Sequence, residues 1–197
     1  MDAQRIHPAW LRVAHWLNAI AVLIMITSGW RIYDASPLFE SVYFPPAFTL
    51  GGWLAGALLW HFAAMWLLFA SFLLYLGINL LSGRLFDKMF PITWRGLSGD
   101  LRAALRGALS HQDLSRYNMV QKLAYLGVIA DTIVLVLSGL AIWKPVQLQL
   151  LSGLMGGYDS ARVVHFVAMV LMVVFLAVHV VMSLLVPRSL RAMVRGR

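Results

Sequence analysis

His165 and His179 stand fourteen residues apart in one apolar stretch of this 197-residue chain. Two further histidines, His15 and His61, stand in other apolar stretches. Fourteen residues is close to four α-helical turns, so both imidazoles of a shared helix leave from nearly one face, about 21 Å apart along its axis. That suits two stacked haems, each taking one ligand from the same helix at its own depth. Each iron then needs one more imidazole, which His15 and His61 can supply.

Depth decides the pairing. His61 lies about 23 residues before Arg84 and His165 about 23 before Arg188, so both sit about 34 Å from that charged boundary. His179 is about nine residues before Arg188, and His15 is three after Arg12. Two imidazoles share an iron only at one depth. His61 therefore pairs with His165 towards one side of the membrane, and His15 with His179 towards the other. Crossing the pairs leaves a mismatch of about 20 Å. A lone histidine in a membrane helix is more often structural than a ligand. Four at two matched depths reverse that expectation, because ionisable groups inside a bilayer default to functional roles. Zinc competes poorly, since each pair offers only two nitrogens.

The elements that must carry these residues are membrane spans. The chain is 61% hydrophobic, with a mean hydropathy of +0.78, beyond what a soluble domain of this length carries. The apolar stretches predict an all-α, integral membrane four-helix bundle forming one domain over 1–197. Its spans cover about 13–33, 50–81, 119–143 and 161–186, each long enough for a hydrocarbon core of about 30 Å. The second runs to about 50 Å as a helix, so it must tilt or project, and Gly51 and Gly52 mark its start. The apolar run behind MDAQRIHPAWLR is membrane-length, with no small-residue cleavage pattern, and does not read as a secretory signal.

Charge orients the bundle. Residues 1–12, 82–122 and 187–197 hold thirteen of the sixteen Lys and Arg, leaving Arg31, Lys144 and Arg162 for the other side. The positive-inside rule then places both termini and the central loop in the cytoplasm. This segregation also explains the net charge of +8 without nucleic acid as a partner. The absence of cysteine excludes disulfides, thiol-attached haem and an iron–sulfur cluster of the chain's own. A basic amphipathic stretch in the central loop reads as a helix lying on anionic lipid. The outer LFESVYFPPAF loop suits a membrane interface or a docking surface. His7 and His111 read as solvated.

Three sets of polar residues remain. Arg12-Val13-Ala14-His15-Trp16 echoes Arg162-Val163-Val164-His165-Phe166. Each Arg lies one turn nearer water than its His, where it could pair with a haem propionate or simply end a span. Asn118 and Gln121 share a face where span three opens, and both can hydrogen-bond a quinone carbonyl. The alternatives are capping by Asn118 and interfacial snorkelling by Lys122. Asp131, in mid-span, reads as a structural hydrogen-bonding group, with a proton relay as the functional alternative.

Arg12-x-x-His15-Trp16-Leu17-Asn18, His61, Tyr117-Asn118-x-x-Gln121-Lys122 and the His165–His179 step together resemble the bacterial di-haem b-type cytochrome family. That family includes membrane subunits of nickel–iron hydrogenases and formate dehydrogenases. The run Pro91-Ile92-Thr93-Trp94-Arg95-Gly96-Leu97 is similar to members that accompany molybdenum-cofactor oxidoreductases. The resemblance implies two b haems with the pairing that depth gives, a quinone site beside the cytoplasmic haem with Asn118 in it, and a periplasmic redox partner. The expectation is thus an electron-transfer subunit between that partner and the quinone pool. A stand-alone quinone oxidoreductase with a small diffusing donor is the first alternative. A haem-free transporter or anchor is the second, although no pair of broken mid-membrane helices is evident.

Overall fold

A computed structural model describes residues 8–106 and 117–196; His7 and His111 lie outside them. The described chain is helical, with no strand. Its first helix, α1, covers Ala9–Ala35, and α2 covers Leu54–Leu81 after a single 3-10 turn at Pro46–Phe48. Two short helices follow, α3 (Arg84–Met89) and α4 (Trp94–Leu105). Helix α5 covers Met119–Trp143, α6 Gln149–Leu154, α7 Tyr158–Leu185 and α8 Pro187–Arg195. Helices α1, α2, α5 and α7 are each long and apolar enough to cross a membrane.

Three span boundaries move. Helix α1 starts earlier, at Ala9, because Pro8 supplies an extended N-cap with no helical demand before it. Helix α2 starts at Leu54 rather than residue 50, and is about 42 Å long rather than about 50 Å. Gly51 and Gly52 have φ of +105° and +70°, in the left-handed region, and Gly51 turns so tightly that a Cβ there would lie 2.3 Å from the Ala57 nitrogen. No L side chain fits that corner. Helix α7 starts at Tyr158, three residues before the expected point.

The spans pack as two hairpins, α1 with α2 and α5 with α7. Small residues make this possible. Ala14, Ala21 and Ser28 are buried along α1 at seven-residue steps, and Ala57, Ala64 and Ser71 along α2. In lipid, helices associate through such close packing and interhelical hydrogen bonds rather than through a hydrophobic force. Ser71 Oγ donates to Asn18 Oδ1 at 2.6 Å across the first hairpin, a bond of the kind that contributes about 0.6 kcal/mol on average in membranes.

The central segment docks on protein. Asp100 Oδ2 on α4 accepts from the Met119 amide at 2.7 Å, and Gly96 abuts the Met119 side chain. The amphipathic helix read as lying on lipid also packs against the start of α5, with Trp94 and Leu101 left exposed. Lys122 does not snorkel to water. It is buried and donates to the Pro91 carbonyl at 3.2 Å, tying the same segment to α5.

Candidate haem-binding site

Helix geometry brings the four histidines to two levels. His61 stands about 20 residues before the end of α2 (81 − 61), and His165 about 20 before the end of α7 (185 − 165). His15 stands about six residues after the start of α1 (15 − 9), and His179 about six before the end of α7 (185 − 179). Both α1 and α7 have that end at the face that carries the chain termini.

At the level nearer the termini, the His15 and His179 rings lie 6.0 Å apart, centroid to centroid, tilted by 59°. Phe175 stacks on His179 at 5.7 Å and Trp16 meets His15 edge-on at 5.4 Å. At the other level stand His61 on α2 and His165 on α7. Each is held from behind by its own hairpin partner. Ser28 Oγ on α1 lies 3.0 Å from His61 Nδ1, and Ser138 Oγ on α5 lies 2.9 Å from His165 Nδ1. Both serines are fully buried. Gly29 and Gly139 stand beside the same two rings. A Cβ on either would lie 3.4 Å from the imidazole Cε1.

This duplication went unread in the sequence. Ser28-Gly29 matches Ser138-Gly139, and Ala57-x-x-x-His61-Phe62-x-Ala64 matches Ala161-x-x-x-His165-Phe166-x-Ala168. Those four alanines are all buried. The two hairpins are thus repeats of one unit in parallel. The Arg12/Arg162 echo is a different matter, because it joins helices of opposite direction. Arg12 Nη1 donates to the Val194 carbonyl at 2.7 Å near the end of α8, while its buried Nε has no partner among the described residues. Arg162 Nη2 donates to the Ser36 carbonyl and to Ser36 Oγ. Both guanidiniums therefore hold backbone at the membrane faces, one turn beyond a histidine.

Asn118 is the N-cap of α5. Its Oδ1 accepts from the Gln121 amide at 2.7 Å, and Gln121 Oε1 accepts from the Asn118 amide at 3.1 Å. This reciprocal capping box occupies both side-chain oxygens and leaves both NH2 groups as donors. Burial pushes the neighbouring Tyr117 phenol up, with the ionisation of Tyr125 and Tyr75 acting in the same direction; Tyr117 therefore keeps its proton and can donate. Asp131 Oδ2 is buried without a hydrogen-bond partner among the described residues.

The described residues contain no group of three or more His, Cys, Asp or Glu able to hold a bare metal ion. They contain the His15–His179 pair, whose rings lie 6.0 Å apart, a spacing that suits an iron whose other four ligands come from a porphyrin. The sequence matches the family described as prokaryotic cytochrome b561 over residues 6–196. The chain belongs to that family. It is also 59% identical over 191 residues to a protein of Azospira oryzae that carries the name protein-methionine-sulfoxide reductase subunit YedZ1, covering 97% of this chain and 96% of that one. This cytochrome is a multi-pass protein of the bacterial inner membrane, a b-type electron-transfer subunit.

Haem b fits the residues present. Two metal–nitrogen bonds of about 2 Å with the half-widths of two imidazoles put ring centroids about 6.3 Å apart, close to the 6.0 Å between His15 and His179. Gly29 and Gly139 leave room for the other two rings. When bound, haem b supplies reversible one-electron chemistry, and the cytochrome supplies its position and surroundings.

Proposed function

We propose that this cytochrome carries two b haems and transfers electrons between a periplasmic redox partner and the membrane quinone pool. His61 and His165 would hold the outer haem, His15 and His179 the inner one. Both termini and the α3–α4 segment would face the cytoplasm, as the segregation of Lys and Arg suggests. The observation that carries this reading is the arrangement of four histidines as two pairs at two matched depths. By analogy with the Azospira oryzae protein, the partner would be the catalytic subunit of a reductase acting on oxidised methionine in proteins. It would meet the outer face, where Tyr33, Phe39, Phe44 and Phe166 form an aromatic cap beside His165. Arg12 and Arg162, each one turn from a histidine, are the candidate propionate contacts, and their present carbonyl bonds are the ones a propionate would replace.

The quinone would bind at the start of α5, near the level of His179. The Asn118 NH2 would donate to one quinone carbonyl, with Gln121 and the protonated Tyr117 beside it. The site opens to cytoplasmic water, so protons need no long path through lipid. Removing one neutral hydrogen bond costs about 0.5–1.5 kcal/mol, a factor of about 2–13 in affinity. Asn118→Leu should slow reoxidation of the reduced cytochrome by a soluble quinone while both haem spectra stay intact, and Gln121→Leu should do less. Stopped-flow spectroscopy reads both. Because Asn118 is also a cap, Asn118→Asp, which keeps the acceptor and loses the donor, should slow reoxidation as much as leucine does. An unchanged rate in both variants would leave Asn118 as a cap alone and move the quinone elsewhere.

A further inference from the structure

The two serine–histidine contacts have a direction that their oxygen atoms settle. Ser28 Oγ lies 2.5 Å from the Ile24 carbonyl, and Ser138 Oγ lies 2.6 Å from the Val134 carbonyl. A hydroxyl has one proton. If that proton pointed at the imidazole, two acceptor oxygens would face each other at 2.5–2.6 Å with nothing between them. Each serine therefore donates to its own helix, four residues back, and presents a lone pair to the histidine. The histidine Nδ1 must then carry the ring proton and donate it.

We propose that Ser28 and Ser138 are positioning residues that fix the tautomer of His61 and His165 and set the potential of the iron between them. This inference rests on the assignment of those two histidines as a ligand pair. With Nδ1 protonated and tethered to the serine, Nε2 is the nitrogen left bare for an iron. The tether also raises the basicity of Nε2, because an imidazole that donates from one nitrogen gains electron density at the other. A more basic ligand favours ferric over ferrous iron, so both serines lower the potential of the outer haem. Gly29 and Gly139 stand beside the same contact, where a Cβ would meet the imidazole Cε1 at 3.4 Å and a longer side chain would crowd the ring. The same unit occurs twice, on α1 and on α5, so the iron is held symmetrically.

The test is a redox titration of Ser28→Ala, Ser138→Ala and the double variant, each in the full-length haem-loaded cytochrome. Threonine at the same positions restores the hydroxyl. Each alanine should shift the ferric/ferrous ratio of the outer component about 2–5-fold towards ferrous, or about 18–41 mV upward at 59 mV per decade. The double variant should shift further, the inner component should not move, and threonine should bring the potential back. The low-spin electron paramagnetic resonance signal of the outer haem alone should change with it. An outer potential unmoved in the double variant, or equal shifts in both components, overturns the proposal. Loss of the outer haem in the alanine and threonine variants alike also overturns it, because packing rather than the hydroxyl would then be at stake. Failure of the underlying assignment looks different: the component that responds to the serines would survive replacement of His61 or His165.

Discussion

His61→Ala and His165→Ala are each expected to remove one and the same b-type spectral component, in full, and to leave the other in place. His15→Ala and His179→Ala are expected to remove the second component instead. The reasoning is geometric. His61 and His165 stand at one depth on α2 and α7, while the His15 and His179 rings are 6.0 Å apart. An iron bound by two imidazoles loses its low-spin state when either is replaced by a methyl group. Low-temperature optical spectra of the four variants check the pattern. Deletion of one shared component by His15→Ala and His165→Ala would contradict it. Bound ligand stabilises a fold by about 4 kcal/mol when present at a thousand times its dissociation constant. The variants should therefore also melt earlier, and excess haem during expression keeps the assay interpretable.

Gly29→Leu and Gly139→Leu should abolish the outer component almost as completely. A Cβ at either position would already touch the imidazole, 3.4 Å from Cε1 and 3.7 Å from Nδ1. Three more carbons cannot be placed without driving the ring out of its position against the serine. Gly29→Ala should retain the haem, because ordinary contact is all that its Cβ makes. Gly77→Leu is the control: a Cβ there meets nothing within 4 Å, so both components should survive. Haem content and spectra of these variants decide it. An intact outer component in Gly29→Leu and Gly139→Leu would show that the close approach of glycine and histidine has no bearing on the iron.

The bundle was legible because its physics is one-dimensional. Apolar length gives the spans, and counting residues along α2 and α7 gives the level of His61, His165 and His179 on them. The support around the outer histidines was not legible in the same way. Ser28 and Ser138 carry no local signal, because each meets its histidine only when the hairpins bring together positions 33 and 27 residues apart. The repeated Ser-Gly and Ala-x-x-x-His-Phe-x-Ala patterns are the signal for that support, whereas the Arg12 and Arg162 echo joins helices of opposite direction. Asn18 and Asp100 show the same gap. One ties α1 to α2 through Ser71 and the other ties α4 to α5, and neither partner is implied by local sequence. The start of α2 moved for a backbone reason: two left-handed glycines at 51 and 52 form a corner, and a helix cannot include it.

The most direct measurement is the number of haems per chain. A pyridine haemochrome assay on fully loaded, purified cytochrome, set against protein mass from amino-acid analysis, should give a ratio close to two, with split b-type absorption bands. A ratio close to one in protein that takes up no further haem would contradict the account of two histidine pairs at two depths.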